Sequence, residues 1–202
     1  MRRREEWTKR VMDLSLASMG LILFAPVIAA AWIVATFETR KNGFFLQERV
    51  GKDGKLFRVV KIRTMREIPG HTSSVTTAAD RRITRSGRFF RRYKIDELPQ
   101  LINVLKGEMS FVGPRPDVPG FADRLEGEDR RLLTLRPGIT GPATLKYRNE
   151  EEILAKQSDP ERFNREVIWP DKVRINLDYM DHWSLKKDLK ILWKTLSGGQ
   201  DG

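Results

Sequence analysis

From Leu14 to Phe37 the chain runs 24 residues without a charged side chain, LSLASMGLILFAPVIAAAWIVATF. A straight helix of that length reaches about 36 Å, enough to cross a bilayer's hydrocarbon core of about 30 Å. Three readings compete for this segment. A cleaved signal peptide would account for the basic start and the small residues Ala29–Ala31. Against it, the apolar run continues through Trp32, Ile33 and Val34, and the chain beyond shows no sign of an oxidising compartment. A simple spanning helix is the reading that hydropathy alone favours. In the third, the helix enters the membrane, breaks and leaves on the same side.

Pro26 lies at the midpoint of the run, where it removes a backbone hydrogen bond and clashes with the preceding turn. The arms Leu14–Ala25 and Val27–Phe37 would each reach roughly 16–18 Å, about one leaflet. Basic residues flank both ends: Arg2, Arg3, Arg4, Lys9 and Arg10 before, Arg40, Lys41, Arg49 and Lys52 after. A spanning helix would put one of these clusters on the wrong face, against the positive-inside tendency. Spanning helices do tolerate proline, so these facts leave both topologies open.

Composition narrows the partners. With 38 Lys+Arg against 27 Asp+Glu the formal net charge is +11, which asks for anionic lipid, a phosphorylated substrate or nucleic acid. The absence of cysteine rules out disulfides, thiol nucleophiles and thiolate metal sites. His71 and His182 are too few for a multi-histidine zinc centre. A charged fraction of 32% excludes a protein of many membrane spans.

Beyond Arg40 the sequence reads as one small domain, 41–202, following a membrane-embedded segment, 1–40. Its class is α+β, mainly α. The run FFLQERVGKDGKLFRVVKIRTM holds two short alternating stretches around Asp53-Gly54, which predicts a β-hairpin. Ile68–Ala79 reads as a small, polar, mobile loop. In ELPQLINVLKG, Leu98, Leu101, Ile102 and Leu105 keep one helical face apolar, and Gly107 ends it. FVGPRPDVPG, with three prolines and two glycines, reads as a shaped loop, and so does RPGITGP. Phe121–Leu135 and Asn149–Leu177 read as helical. The C-terminal WSLKKDLKILWKTL places Leu185, Leu189, Leu192, Trp193 and Leu196 on one face of an amphipathic helix, a domain's outer helix or one lying in the headgroup layer.

The sharpest polar feature is Asp96-Glu97, at the expected start of the ELPQL helix. Asp96 suits an N-cap. It equally suits a nucleophile at a helix N-terminus, where phosphate can share the site, with its neighbour binding Mg²⁺. The basic residues around it favour its ionised form. Upstream, Arg81–Lys94 carries seven basic residues and no acid in fourteen. Phe89 and Phe90 among them suit an anionic membrane surface or a nucleic acid. No zinc-finger or RNP motif accompanies them, so no nucleic-acid partner is expected. Arg115, framed by Pro114 and Pro116, suits a phosphate group, or the Gly-Pro-Arg-Pro is only a turn.

In order, KRVMD, the proline-containing apolar run, FFLQERVGKDGKLFRVVKIRTM, DRRITRSGRFFRRYKIDELPQLINVLKGEMSFVGPRP, RPGITG and LDYMDHWSLKKDLKILWKTL resemble the bacterial sugar transferases, the monotopic phosphoglycosyl transferases. The resemblance covers nearly the whole chain, in the family's minimal catalytic form. It implies a re-entrant membrane helix and a small interfacial catalytic domain at the cytoplasmic face of the bacterial inner membrane. The implied reaction moves a sugar 1-phosphate from a UDP-sugar to polyprenyl phosphate, releasing UMP, as the first membrane step of glycoconjugate synthesis.

By that pattern Asp96 is the nucleophile, forming a phosphosugar-enzyme intermediate, and Glu97 helps hold Mg²⁺. Arg115 matches a phosphate-binding arginine; Lys61, Arg63 and Arg91 fall in motifs lining the same anionic site, and Arg148 corresponds to a substrate-side arginine. Two departures stand out: ATLKY before Arg148, and Ala25 where many relatives have serine ahead of the helix-breaking proline. The competing class is a membrane-tethered basic protein that binds nucleic acid or lipid without catalysis, which leaves Asp96-Glu97 and Gly113–Pro116 without a purpose.

Overall fold

The computed structural model describes residues 3–67 and 80–198, so the expected loop Ile68–Ala79 lies outside the described residues. Elements run α1 (Arg3–Thr39), β1 (Phe44–Val50), β2 (Leu56–Ile62), α2 (Arg85–Arg92), α3 (Gln100–Lys106), β3 (Ser110–Val112), β4 (Gly138–Thr140), α4 (Pro142–Lys146), α5 (Glu150–Ala155), α6 (Pro160–Phe163), α7 (Trp169–Asp181) and α8 (Leu185–Ser197). The α+β class, mainly α, holds. Two compact units emerge: Met1–Leu14 with Glu48–Phe57 and Lys106–Gly202, and Ser15–Gln47 with Arg58–Leu105. They do not divide the chain at residue 40; α1 contributes to each.

α1 continues through Pro26. The expected break is therefore not an end of the helix: proline costs one backbone bond, and a long helix already formed on both sides propagates past it. The hairpin is as expected. Asp53 and Gly54 adopt φ of +58° and +74°, the left-handed pair that an Asp-Gly turn supplies.

In the unit holding Ser15–Gln47 and Arg58–Leu105, small residues of α1 face inward. Ile28, Ala31 and Ala35 pack with Ile62 of β2 and Phe90 of α2, flanked by Leu98. Asn103 of α3, fully buried, accepts from Val60 N (3.0 Å) and donates to Arg58 O (2.7 Å). Its amide thereby satisfies the inner edge of β2 as a further strand would. The far end of α1 is pinned by Glu38, which accepts from Ser86 Oγ and Ser86 N in the first turn of α2.

In the other unit, β3 and β4 pair in parallel with Ser110 opposite Gly138 and Val112 opposite Thr140. Both fall where loops were expected, because three-residue strands are too short to show a period. A Cβ on Gly138 would lie 2.7 Å from Gly113 Cα, so this approach of the two glycine-containing segments excludes larger residues. Leu125, Leu132, Leu133, Val173, Tyr179, Met180 and Ile191 build the core. The segment 121–135 forms two short 3₁₀ stretches instead of the expected helix, and 149–177 is broken into α5, α6, a π turn at Asn164–Ile168 and α7.

α8 turns its apolar stripe outward. It buries Asp188 and Ile191, whereas Leu189, Trp193 and Leu196 of the apolar stripe are exposed. What draws that face inward is a buried polar cluster: Asp188 accepts from Lys9 Nζ (2.5 Å), Tyr179 OH (2.6 Å) and Trp183 Nε1 (3.1 Å). One turn further along α1, buried Asp13 accepts from Ser110 Oγ (3.1 Å) and Phe111 N (3.0 Å).

Candidate active site

Asp96 and Glu97 do not open α3 directly. Lys94 takes a left-handed conformation (φ +56°) and starts a 3₁₀ turn, Ile95–Glu97, which leads through Leu98 and Pro99 into α3. The N-cap reading of Asp96 is thereby overturned: the residue before the turn is Lys94, which makes no side-chain cap, and Asp96 lies inside it. Asp96 is 9% exposed, and its Oδ1 has no hydrogen-bond partner. Such an orphaned, buried carboxylate oxygen costs stability, and native proteins keep one where chemistry needs it.

Its surroundings are cationic. Lys61 on β2 donates to Glu97 Oε1 (3.4 Å), and Lys94, Arg91 and Lys61 all act electrostatically on Asp96. Burial nevertheless outweighs them. Burial first, and the Glu97 charge second, push the Asp96 carboxyl above the usual carboxylate range, with Lys61, Lys94 and Arg91 opposing. The basic neighbours do favour the ionised form, as expected, but desolvation outweighs them and the net shift is upward, because burial penalises a charge that is not directly paired.

Arg91, on the inner side of α2, is oriented by Thr64 Oγ1 (3.0 Å) and Met65 Sδ (3.3 Å). Arg63 is held differently. Its Nε donates to Asn42 O (2.8 Å) and its NH2 to Phe44 O (3.4 Å), with the guanidinium over the Phe45 ring. These contacts brace the exit from α1.

The other unit carries a second polar group of residues. Arg115 is exposed in the loop after β3. That loop is tied to the end of β1 by Val50 N donating to Asp117 O (2.9 Å) and Arg49 NH1 donating to Pro116 O (3.2 Å). Burial raises the Asp117 carboxyl to about 6, against the charges of Lys172, Arg49 and Arg115. Lys172 in turn pairs with Glu150 at 2.6 Å. Arg148 lies elsewhere, its NH2 donating to Lys194 O near the end of α8 (3.3 Å).

Lys61, Arg91, Asp96 and Glu97 thus share one unit and act on one another, while Arg115 and Arg148 belong to the other unit and to separate neighbourhoods within it. Sequence reasoning missed Asn103, Arg49 and Asp117. Asn103 had a signal, an amide set between the apolar Ile102 and Val104 of α3; the other two had none. Among the described residues no three Asp, Glu or His side chains gather to hold a metal. Two adjacent carboxylates, one with an unpartnered oxygen, do fit Mg²⁺, which takes one or two carboxylates and completes its shell with water and substrate phosphate.

A family model for bacterial sugar transferases matches residues 4–200. A Bacillus subtilis protein, provisionally named an undecaprenyl-phosphate N-acetylgalactosaminyl 1-phosphate transferase, is 46% identical over 61% of this chain and 76% of its own length. The UDP-glucose:undecaprenyl-phosphate glucose-1-phosphate transferase of Caulobacter vibrioides is 36% identical over 93% of this chain and 68% of its own. The UDP-N-acetylgalactosamine-undecaprenyl-phosphate N-acetylgalactosaminephosphotransferase of Aeromonas hydrophila is 34% identical over 93% of this chain, which spans 42% of that relative's length. With a family model matched along nearly all of its length, over the same segments that carry Asp96, Glu97 and Arg115, this chain belongs to the bacterial sugar transferase family.

Proposed function

We propose that this transferase moves a sugar 1-phosphate from a UDP-sugar to undecaprenyl or a similar polyprenyl phosphate, through a covalent intermediate on Asp96. The single observation that carries the reading is the buried Asp96 carboxylate with an unpartnered oxygen, set among Lys61, Arg91 and Lys94. An Asp96 carboxylate oxygen attacks the phosphorus bearing the sugar; the bond from that phosphorus to the UMP oxygen breaks, and UMP leaves. The polyprenyl phosphate oxygen then attacks the same phosphorus, and the Asp96 oxygen–phosphorus bond breaks to restore the carboxylate. Phosphoryl transfer needs positioning and charge neutralisation more than proton chemistry. Lys61 and Arg91 supply cationic charge for the phosphate oxygens, and the family resemblance gives Arg115, in the Pro-framed loop of the other unit, a phosphate-binding role of its own. Glu97 and Asp96 would hold Mg²⁺, which neutralises diphosphate charge when bound. The product would be the first lipid-linked intermediate of a glycoconjugate such as capsule or exopolysaccharide.

A lipid-borne acceptor calls for an enzyme seated at the membrane. α1 is long and apolar enough to cross one. We favour entry and exit on one face, the cytoplasmic one, because basic residues flank both ends of the apolar run and Pro26 lies at its midpoint. Among the described residues no second helix could carry the chain back across. UMP release with polyprenyl phosphate and a panel of UDP-sugars tests the reaction. Absence of UMP with every donor would leave a basic membrane protein without this catalysis.

A further inference from the structure

Asn103 is wholly buried between Ile102 and Val104 on α3, where an amide is costly unless both its donor and its acceptor are used. Both go to one strand: Oδ1 accepts from Val60 N (3.0 Å) and Nδ2 donates to Arg58 O (2.7 Å). These two backbone groups lie two residues apart on the same edge of β2. One side chain bonded at both points fixes the distance from β2 to α3 and the register between them.

Each end of this tie leads directly to the site. On the strand, Lys61 follows Val60, and Ile62 beyond it is buried with Phe90, so the main chain of Lys61 is held on both sides. On the helix, backbone bonds join the Asp96 turn to α3 in sequence: Leu98 N donates to Ile95 O (3.2 Å), Leu101 N to Leu98 O (3.1 Å) and Ile102 N to Pro99 O (3.0 Å). α3 is seated against α1 as well, since a Cβ on Gly20 would lie 3.1 Å from Leu101 Cδ1. Strand and helix meet where Lys61 Nζ stands 3.4 Å from Glu97 Oε1. A direct charged hydrogen bond is about 2.7–2.9 Å long, so this pair does not clamp the two elements together. The spacing comes from the amide.

We infer that Asn103 is a positioning residue for the transfer, its amide setting the spacing between Lys61 and the Asp96-Glu97 turn. The inference rests on the reaction proposed above. A cation held at a fixed distance from the attacking carboxylate acts where charge develops on the phosphate oxygens. Displacing it slows the chemical step more than it weakens donor binding. An error of about 1 Å in such placement costs on the order of 100-fold in rate.

The test uses the full chain in nanodiscs, with UMP release measured at a temperature where circular dichroism finds every variant folded. Asn103→Gln keeps the amide but lengthens its arm by one carbon, about 1.5 Å; Asn103→Ala removes the tie without adding bulk. In either variant kcat should fall on the order of 100-fold while KM for the UDP-sugar stays within about threefold. Ile28→Ala truncates the core of the same unit and leaves both amide bonds in place. It should lower the melting temperature and keep kcat within about threefold of the wild type. In a Lys61→Met background, followed over hours, the Asn103 change should cost little further, because the cation it places is gone. A folded Asn103 variant with wild-type kcat, an equal loss in Ile28→Ala, or a loss that multiplies in full with that of Lys61→Met makes Asn103 structural only and overturns the inference. The wild type judges the reaction separately. No UMP from any donor refutes transfer at Asp96 and this role with it, whereas an active wild type with an unaffected Asn103→Ala sinks the positioning role alone.

Discussion

Replacing Lys9 by Met should be among the most damaging single changes in this protein, although Lys9 is far from Asp96 in sequence. Its ammonium is 2.5 Å from Asp188 Oδ2 and 3.3 Å from Tyr179 OH, with side-chain exposures of 10% for Lys9 and 0% for Asp188. Removing one partner of a buried pair leaves the other charged and dry, which costs about 3–5 kcal/mol. At roughly 2–4 °C per kcal/mol for a chain of this size, the melting temperature in detergent or nanodiscs should fall on the order of 10 °C. Asp188→Asn alone should be similarly damaging, since it strands the Lys9 ammonium. The double variant Lys9→Met/Asp188→Asn should recover more than half of either loss, because no charge is left unpaired and the amide oxygen still accepts from Tyr179. An internal control is Arg162→Met, which removes an exposed pair with Glu166 and should cost at most about 0.5 kcal/mol. If Lys9→Met costs no more than that control, or if the two single losses simply add, the buried cluster is not what holds the start of α1 to α7 and α8.

Arg115→Lys keeps the charge but loses the two-pronged fork, so UMP release should fall at least tenfold with an unchanged melting temperature; near-normal turnover would make Arg115 structural. Because the Asp96 carboxyl is raised and must be ionised to attack, activity should be lost on acidification at a higher pH than an ordinary aspartate would give. Lys61→Met removes an opposing charge and should move that limb higher still, as a pH–rate profile would record. The same raised group holds its proton more tightly in the folded state, so its contribution to stability is lost as pH rises through the folded value. Asp96→Asn should therefore raise the melting temperature at neutral pH while abolishing turnover, and a lowered melting temperature would contradict the desolvated-carboxylate account. For topology, impermeant thiol labelling of cysteines placed at residues 2 and 41 should find both ends protected from outside in intact cells, and labelling of one end alone would mean a crossing helix.

Some of this was legible in the residues and some was not, for physical reasons. Asp53-Gly54 specifies its turn by backbone conformation alone, and the apolar period of α3 specifies its buried face, so both elements could be read directly. β3 and β4 could not, since three residues carry no period and their pairing depends on two glycines far apart in sequence. The inward face of α8 could not be read because an aspartate, Asp188, is buried there, and only the partners Lys9, Tyr179 and Trp183 make that tolerable. At the site, Asp96-Glu97 stood out as a pair of carboxylates, but spacing says nothing of desolvation, which sets the sign of the Asp96 shift. Arg63 sits in the same strand-end motif as Lys61, yet its guanidinium turns to the carbonyls of Asn42 and Phe44. Asp117 follows the Arg115 turn and owes its raised carboxyl to burial, which spacing does not reveal, with Lys172 from far along the chain opposing it.

The most direct test mixes the wild-type enzyme with a UDP-sugar labelled in the sugar and leaves out any lipid acceptor. On quenching, the account predicts UMP in at most one equivalent per enzyme and a phosphosugar adduct that mass spectrometry places on Asp96, with none on the Asp96→Asn variant. UMP that appears only when polyprenyl phosphate is added, with no adduct at any time, would mean direct transfer, and the role given to the buried Asp96 carboxylate would be wrong.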